Sequence, residues 1–172
     1  MESFANKSSS DEWFDEGNRL LNHREYEEAI LAFDNADNPY MAAVAAAYQS
    51  QEVARDIPES QTKRRREAFV NAAGAFEHCA EMAKSSGEKS TYYAAAARCY
   101  ADIKRHMDAV RAFKLANMFT KAALYCFDNN LLDEAVSIIK KHDAEVDPQT
   151  IDRITEVARL SYLQSKDPKQ FK

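Results

Sequence analysis

Glycine and proline are scarce in this chain of 172 residues, which contains 3 glycines and 4 prolines. Average usage would give about 12 glycines and about 9 prolines. A β-sandwich or β-barrel needs turn residues at roughly every 8–12 positions, so the scarcity argues against both architectures. No GxxxxGK[ST] or GxGxxG pattern occurs. The chain therefore lacks the glycine-rich phosphate-binding loop of P-loop and Rossmann enzymes.

Cysteine is also rare, and apolar runs are short. The three cysteines, Cys79, Cys99 and Cys126, show no CxxC spacing and lie among alanine and aromatic residues. This pattern predicts buried structural thiols in a reducing compartment. The N-terminus has no apolar signal-peptide core, and the longest apolar run, Met41–Tyr48, falls short of the roughly 20 residues that span a bilayer. We expect an intracellular protein, cytoplasmic or nuclear, without membrane contact.

Charge is divided unevenly along the chain. Residues 1–61 carry 4 basic and 13 acidic side chains, whereas residues 62–172 carry 19 basic and 15 acidic ones. Such asymmetry can guide partners or contacts between the two ends of the chain. It is not typical of a nucleic-acid-binding domain, which usually has one strongly basic face.

Helix signals fill the sequence, and no segment keeps the period-two alternation of a strand. Asn38 followed by Pro39 predicts the start of a helix, and Ser90 is expected to cap another over 91–103. The sequence predicts about nine helices joined by short connections, which favours antiparallel neighbours. The remaining predicted helices begin near Ser10 and Tyr26, span 60–84, 108–116, 119–129 and 132–141, and follow Pro148.

Small and large apolar residues recur at the spacing of tetratricopeptide (TPR) repeats, in which small residues lie where two helices cross closely. A third, shorter copy follows the first two, since Ala109 and Ala135 are only 26 residues apart instead of about 34. The spacing predicts an all-α, irregular, TPR-like, right-handed helical solenoid over residues 10–165. Residues 1–9 are expected to form a disordered tail, and 166–172 a C-terminal tail. The recurring positions are Trp13, Gly17, Leu20, Tyr26, Ala29, Phe33 and Ala36; then Tyr93, Ala97, Tyr100, Ala109, Phe113 and Ala116; then Phe119, Ala123, Cys126, Ala135 and Ile139.

The order of these segments over about residues 11–164 resembles the helical-repeat region of TPR and ankyrin repeat-containing proteins, large UvrD-like superfamily 1 helicase relatives that are abundant in fungi. Its most particular parts are the segment KRRREAFVNAAGAFEHCAEMA and the closing VARLSYL. The resemblance implies a non-catalytic segment of a larger helicase-related protein. No helicase motif is present in this chain, so no catalytic residue is carried over from the family.

A candidate partner-binding groove follows from the inner positions of the first helix in each pair, where TPR proteins commonly bind peptides. The candidate residues are Asn18, Asn22, Arg98 and Lys121. Asn18 matches one member of the carboxylate clamp of chaperone-binding TPR proteins, but Phe14 stands where that clamp has a lysine. An extended peptide laid along the four residues is the interpretation that the sequence supports.

The basic run Lys63, Arg64, Arg65 and Arg66 is the sharpest charged feature. It is a candidate patch for an acidic protein partner or for nucleic acid. It could equally pair with the acidic segment 1–61, or form a solvated helix start. These interpretations stay open at the level of sequence.

No catalytic, cofactor-binding or metal-binding constellation is recognised in the sequence. The four histidines are scattered, and the adjacent His78 and Cys79 are expected to face different directions on a helix, whereas a zinc site or a nucleophile needs clustered partners. We therefore expect a non-enzymatic, monomeric interaction or scaffold module without cofactor or metal. Its partner would be a protein, a peptide or a neighbouring domain of the same parent chain. The alternatives are a nucleic-acid accessory module that uses residues 63–66 and a self-assembling structural element.

Overall fold

The computed structural model describes residues 2–166, with side chains from residue 9 onward. Within that part of the chain there are nine α-helices, one 3-10 helix and no strand, which confirms the predicted all-α class. The helices are α1 (Glu2–Asn22), α2 (Tyr26–Asn35), α3 (Pro39–Asp56), α4 (Thr62–Met82), α5 (Ser86–Asp102), α6 (His106–Leu115), α7 (Phe119–Asp128), α8 (Leu132–Lys141) and α9 (Pro148–Lys166), with the 3-10 helix at Asp143–Glu145.

Two predicted helix starts have different outcomes. The Asn38 side chain accepts a hydrogen bond from the Met41 N–H at 3.0 Å, with Pro39 in the first turn, as predicted for α3. The prediction that Ser90 caps this helix is wrong, because α5 begins at Ser86. Its cap is Ser85, which exchanges hydrogen bonds with Glu88 in a capping box. That reciprocal pair satisfies two free N–H groups at the helix start, which a lone serine cannot do.

The ends of the described chain also differ from the predicted tails. Helix α1 reaches back to Glu2, so the backbone of residues 2–9 is helical where a disordered tail was expected. Lys166 is the last residue of α9. The rest of the predicted C-terminal tail, residues 167–172, lies outside the described residues.

Five helix ends share one turn geometry that does not use glycine. Each has a residue in the left-handed region, with φ between 54° and 64°. The next N–H bonds the carbonyl five residues back, as when Glu25 N donates to Leu20 O and Arg105 N donates to Tyr100 O, both at 3.0 Å. This is the Schellman arrangement that ends a helix. The left-handed residues are Arg24, Asp37, Lys104, Asn117 and Asn130.

The helices pack in chain order, and the main helix contacts join each helix to the next one. Alternate helices also touch each other. On the odd helices the Tyr40 and Tyr92 rings meet edge-on at 6.4 Å between α3 and α5. On the even helices Arg111 Nη2 of α6 lies 2.7 Å from Glu77 Oε1 of α4. Contacts between alternate helices thus occur both for the α3–α5 pair and for the α4–α6 pair.

The α1–α2 pair and the α5–α6 pair repeat the same contact 80 residues apart. Ser10 Oγ donates to Ala36 O at 2.9 Å, and Ser90 Oγ donates to Ala116 O at 2.8 Å. Ser90 thus contributes to the packing of a helix pair instead of capping α5. Both serines tie the first helix of a pair to the end of the second, so the recurring sequence register corresponds to a recurring structure.

The outer face of α1 differs from the matching face of α5. Tyr92 and Cys99 are buried on α5, where they contact α3. The corresponding residues of α1 are Glu12 and Arg19, and both are exposed. A polar outer face is what a terminal repeat needs in order to stay in water.

Helix α9 has the opposite character. Val157, Leu160 and Leu163 lie on one side of it, each about 40% exposed. Only Thr150 and Ile154 of this helix are buried. The described part of the chain leaves an apolar stripe of α9 uncovered.

Candidate partner-binding edge

Two clefts adjoin one another where the first helices of the pairs end. The first, here called the Gln51 cleft, has a volume of about 320 Å³ and is lined by Leu21, Asn22, Arg24, Tyr26, Tyr48, Gln51, Glu52 and Arg55. The second, the Lys104 cleft, has a volume of about 350 Å³ and is lined by Glu59, Thr62, Arg65, Arg66, Asp102, Ile103 and Lys104. They are linked through Arg65 of the Lys104 cleft, whose Nη1 donates at 3.0 Å to the carbonyl of Ile57, two residues after Arg55 of the Gln51 cleft. We call the surface that contains both clefts the turn edge.

The walls of the Gln51 cleft are aromatic and rigid. Tyr26 and Tyr48 stack with centroids 6.4 Å apart and planes 9° apart. Tyr48 is held from behind by Phe76, whose ring meets it edge-on at 5.0 Å. Partial burial raises the pKa of Tyr26, with the Glu52 carboxylate adding to the effect. The two rings offer flat, partly exposed faces.

The rim of the Gln51 cleft is charged. Arg24 Nη1 lies 2.9 Å from Glu52 Oε1, which links the α1–α2 turn to α3 across the cleft. Arg55 also lines the cleft and is exposed. It forms no ion pair with any described residue, so one cation at this rim is uncompensated.

Cations from two separate elements meet at the Lys104 cleft. Arg66 comes from the start of α4, and Lys104 from the left-handed turn between α5 and α6. Glu59 and Asp102 line the same cleft, but within the described chain neither carboxylate pairs with these cations. The cleft combines separate positive and negative groups around the exposed hydroxyl-bearing Thr62.

The predicted basic run is divided by its surroundings. Arg65 is partly buried, donates to the α3 end, and places its guanidinium 5.2 Å from the centroid of the Phe69 ring. Arg64 Nη1 donates to Gln61 Oε1 at 3.3 Å, and the side chains of Lys63, Arg64 and Arg66 are exposed. None of the four forms an ion pair with the acidic side chains of residues 9–61. Arg65 is thus a packing residue, and the other three face outward.

The four predicted groove residues do not form one cluster. Asn22 lines the Gln51 cleft, and Asn18, one turn earlier on α1, is partly buried outside it. Arg98 is exposed and adjoins Cys99, whose Sγ accepts from Gln51 at 3.3 Å. Lys121 is exposed on α7, next to Thr120, which bonds the segment before α9. Asn22 and Arg98 are therefore linked through Gln51, whereas no contact joins Lys121 to them.

Sequence reasoning missed Gln51, Arg55 and Lys104. Gln51 and Arg55 belong to α3, whose apolar run Met41–Tyr48 predicts a packing face and no binding residue. Lys104 becomes notable only once it lies beside Arg66, which is far away in sequence. An available signal was the i, i+4 spacing of Gln51 and Arg55, two polar residues on one helical face.

The buried thiols are chemically quiet. Burial raises the pKa of Cys79, Cys99 and Cys126 to about 11 in each case. They are protonated at neutral pH, and the thiolate is the nucleophilic form. In the part of the chain described here, no three His, Cys, Asp or Glu side chains are grouped to hold a metal ion.

A third cleft, of about 530 Å³, lies between α8 and α9. Lys140, Lys141 and Tyr162 line it together with apolar residues of α8. Tyr162 and Leu163 of α9 are both exposed.

Comparison with protein-family models, curated proteins and solved structures found no match to this chain. None of the described helices combines the length and apolar composition that a bilayer crossing requires.

Proposed function

We propose that this chain is a non-catalytic protein-interaction module whose turn edge binds an acidic segment of a partner protein. The observation that carries the proposal is the meeting of Arg55, Arg66 and Lys104, from three different elements, at two adjoining clefts. None of the three forms an ion pair within the described chain. An external carboxylate or phosphate would supply the missing counter-charge.

The architecture we propose is an irregular, TPR-like, right-handed solenoid of antiparallel helices. Packing in chain order, the contacts between alternate helices and the contact that recurs 80 residues apart all support it. In such an array each pair contacts only its neighbours, so binding surfaces extend along the stack. A rigid surface of this kind loses little conformational entropy on binding.

The residues predicted for the groove extend the same surface. Asn22 lies in the Gln51 cleft, and Arg98 adds a further exposed cation beside Cys99. We propose that an extended peptide follows the turn edge from Asn22 past Arg55 towards Lys104. Asn18 and Lys121 stay candidates for contacts beyond the two clefts.

A random peptide library tests this proposal without knowledge of the native partner. Phage that display random 16-residue peptides are selected on the purified full chain, and the selected peptides are measured by fluorescence polarisation. We expect the selected peptides to be enriched in Asp and Glu, with binding weakened about tenfold or more by Arg55→Glu or Lys104→Glu. Failure to select any peptide, or selection of peptides without acidic enrichment, would overturn the proposal.

Lys89→Glu is the matched control for these charge reversals. Lys89 is exposed on α5, and at 1.5 Å per residue it lies about 20 Å along the helix from Asp102 of the Lys104 cleft. The variant changes the net charge by the same amount as Lys104→Glu. An equal loss of binding in Lys89→Glu would mean that the whole-protein charge, and not the turn edge, is responsible.

Nucleic acid is a second candidate partner, favoured by the outward-facing Lys63, Arg64 and Arg66. Its test is binding of a single-stranded thymidine 20-mer at two salt concentrations. Basic side chains that neutralise phosphates release counterions, so the binding affinity should fall steeply as salt is raised. This salt dependence should be lost when residues 63–66 become alanine. No binding at low salt would reject this candidate.

Self-assembly is a third candidate, favoured by the uncovered apolar stripe of α9. Light scattering over a concentration series distinguishes it, because a constant mass of 19.5 kDa would describe a monomer. The resemblance to helicase relatives adds the proposal that the chain is part of a larger protein. An immunoblot of source-cell lysate tests that idea, and a native band near 20 kDa would contradict it.

A further inference from the structure

The Gln51 amide is buried without a strong hydrogen-bond partner. It is one of two buried polar side chains among the described residues, and the exposed fraction of Gln51 is 6%. The other, Thr150, donates its hydroxyl to Asp147 Oδ2 at 2.7 Å. Gln51 Nε2 reaches only the thiol sulfur of Cys99, at 3.3 Å, and sulfur is a weak acceptor.

The second end of the same amide opens into the cleft. Within the described chain no donor bonds Gln51 Oε1. Among the described residues, Tyr40 Oη is the one fully buried side-chain polar atom that lacks a hydrogen-bond partner. Because Gln51 Oε1 also lacks a partner, it cannot be fully buried, and it is reached from the cleft that Gln51 lines. Oε1 is therefore open to water or to a donor that enters the cleft, and a ligand bond there replaces a bond to water.

The accessible Oε1 of Gln51 is an acceptor, and the main-chain N–H of one peptide group in a bound segment is a donor that can bond it. The stacked, parallel rings of Tyr26 and Tyr48 line the same cleft, and their partly exposed faces can contact a flat, extended chain. Arg55 lies one helical turn further along the same face of α3, with its guanidinium exposed. The spacing of one turn, about 5–6 Å, is close to the roughly 6–7 Å between residues i and i+2, which share one face of an extended peptide.

We infer that the Gln51 cleft recognises the main chain of an extended acidic segment from a partner protein. Gln51 bonds one peptide group of the segment, and Arg55 pairs with an Asp or Glu side chain next to it. This inference rests on the proposed function, and adds that the main chain of the partner segment is what Gln51 contacts. Recognition of main chain makes the site tolerant of sequence, while the arginine sets the requirement for acid.

The test uses the tightest peptide from the random library and Gln51→Met. Methionine keeps the length and fills the apolar surroundings, but it cannot bond a peptide group. We expect the variant to fold and to bind the peptide about tenfold more weakly. Gln49→Met is the matched control, because Gln49 lies two residues away on α3 and bonds Glu27 outside the cleft; its affinity should not change.

A scan of the peptide with single ester bonds completes the test, since each ester removes one main-chain N–H donor. We expect one position at which the ester weakens binding to wild type about tenfold and has no further effect in Gln51→Met. If Gln51→Met binds as tightly as wild type, or if no ester position affects wild type, main-chain recognition is refuted while the acidic-partner function stands. If no peptide is selected by wild type, the proposed function fails and this inference fails with it. Should Gln51→Met not fold, the ester scan of wild type decides alone.

Discussion

Replacement of Gly17 by alanine should destabilise the protein, although alanine is the better helix former. A Cβ at this position of α1 would lie 2.7 Å from both Cδ1 and Cε1 of Phe33. The Phe33 ring is completely buried and meets Phe14 edge-on at 5.9 Å. It therefore has no free space into which it can move.

The expected magnitude is the balance of two opposing effects. Overpacking a core costs about 1–3 kcal/mol, and glycine-to-alanine in a helix returns about 1 kcal/mol. The net expectation for Gly17→Ala is a loss of about 1 kcal/mol, or a fall in Tm of about 2–4 °C for a chain of this size.

Gly74→Ala is the matched control for this prediction. Gly74 lies within α4, is exposed, and a Cβ there would meet nothing within 4 Å. The control variant should gain about 0.5–1 kcal/mol from helix propensity alone. Thermal melts followed by circular dichroism measure both variants. An equal rise in Tm for the two would refute the close contact between α1 and α2, and Gly17→Ala with Phe33→Leu should recover the lost stability.

Two further predictions concern thiols and pH. Burial keeps the three cysteines protonated. A thiol reagent at pH 8 should therefore label almost no cysteine in the native protein and three cysteines per chain in guanidinium. Rapid labelling of the native protein would contradict their burial. Hydrogen bonds from Ser85 lower the pKa of Glu88 in the folded protein. The ionised Glu88 therefore stabilises the fold above its unfolded pKa, and this stabilisation is lost as the pH falls through the lowered folded pKa. Glu88→Gln should therefore melt below wild type at pH 7, and the difference in Tm should shrink as the pH falls through the lowered folded pKa, whereas a constant difference would exclude this linkage.

The helices could be predicted well because their signals are local. The 3.6-residue periodicity gave the α8 range of 132–141 correctly, and the Asn38–Pro39 pair gave the start of α3. The predicted start of α5 is too late, because Ser85, Ser86 and Gly87 indicate only the end of α4 when they are interpreted alone. The deciding signal, Glu88 three residues after Ser85, was present in the sequence.

The candidate site could be predicted only in part. Asn22 and Arg98 were chosen as exposed positions on successive first helices, and both are indeed accessible. Gln51 gains its significance from Cys99, which is 48 residues away in the chain. Periodicity predicts which face of a helix is buried, but not which distant side chain meets it there.

The five glycine-free turns have a consequence for the turn edge. A left-handed backbone costs a residue other than glycine about 1–2 kcal/mol, and asparagine and aspartate tolerate it best. Two of the five positions hold Arg24 and Lys104 instead, and each of these lines one of the two clefts. At both clefts the chain thus carries a cation where glycine would make the more stable turn. The turn edge is therefore less stable than its backbone geometry allows, by about 1–2 kcal/mol at each of the two positions.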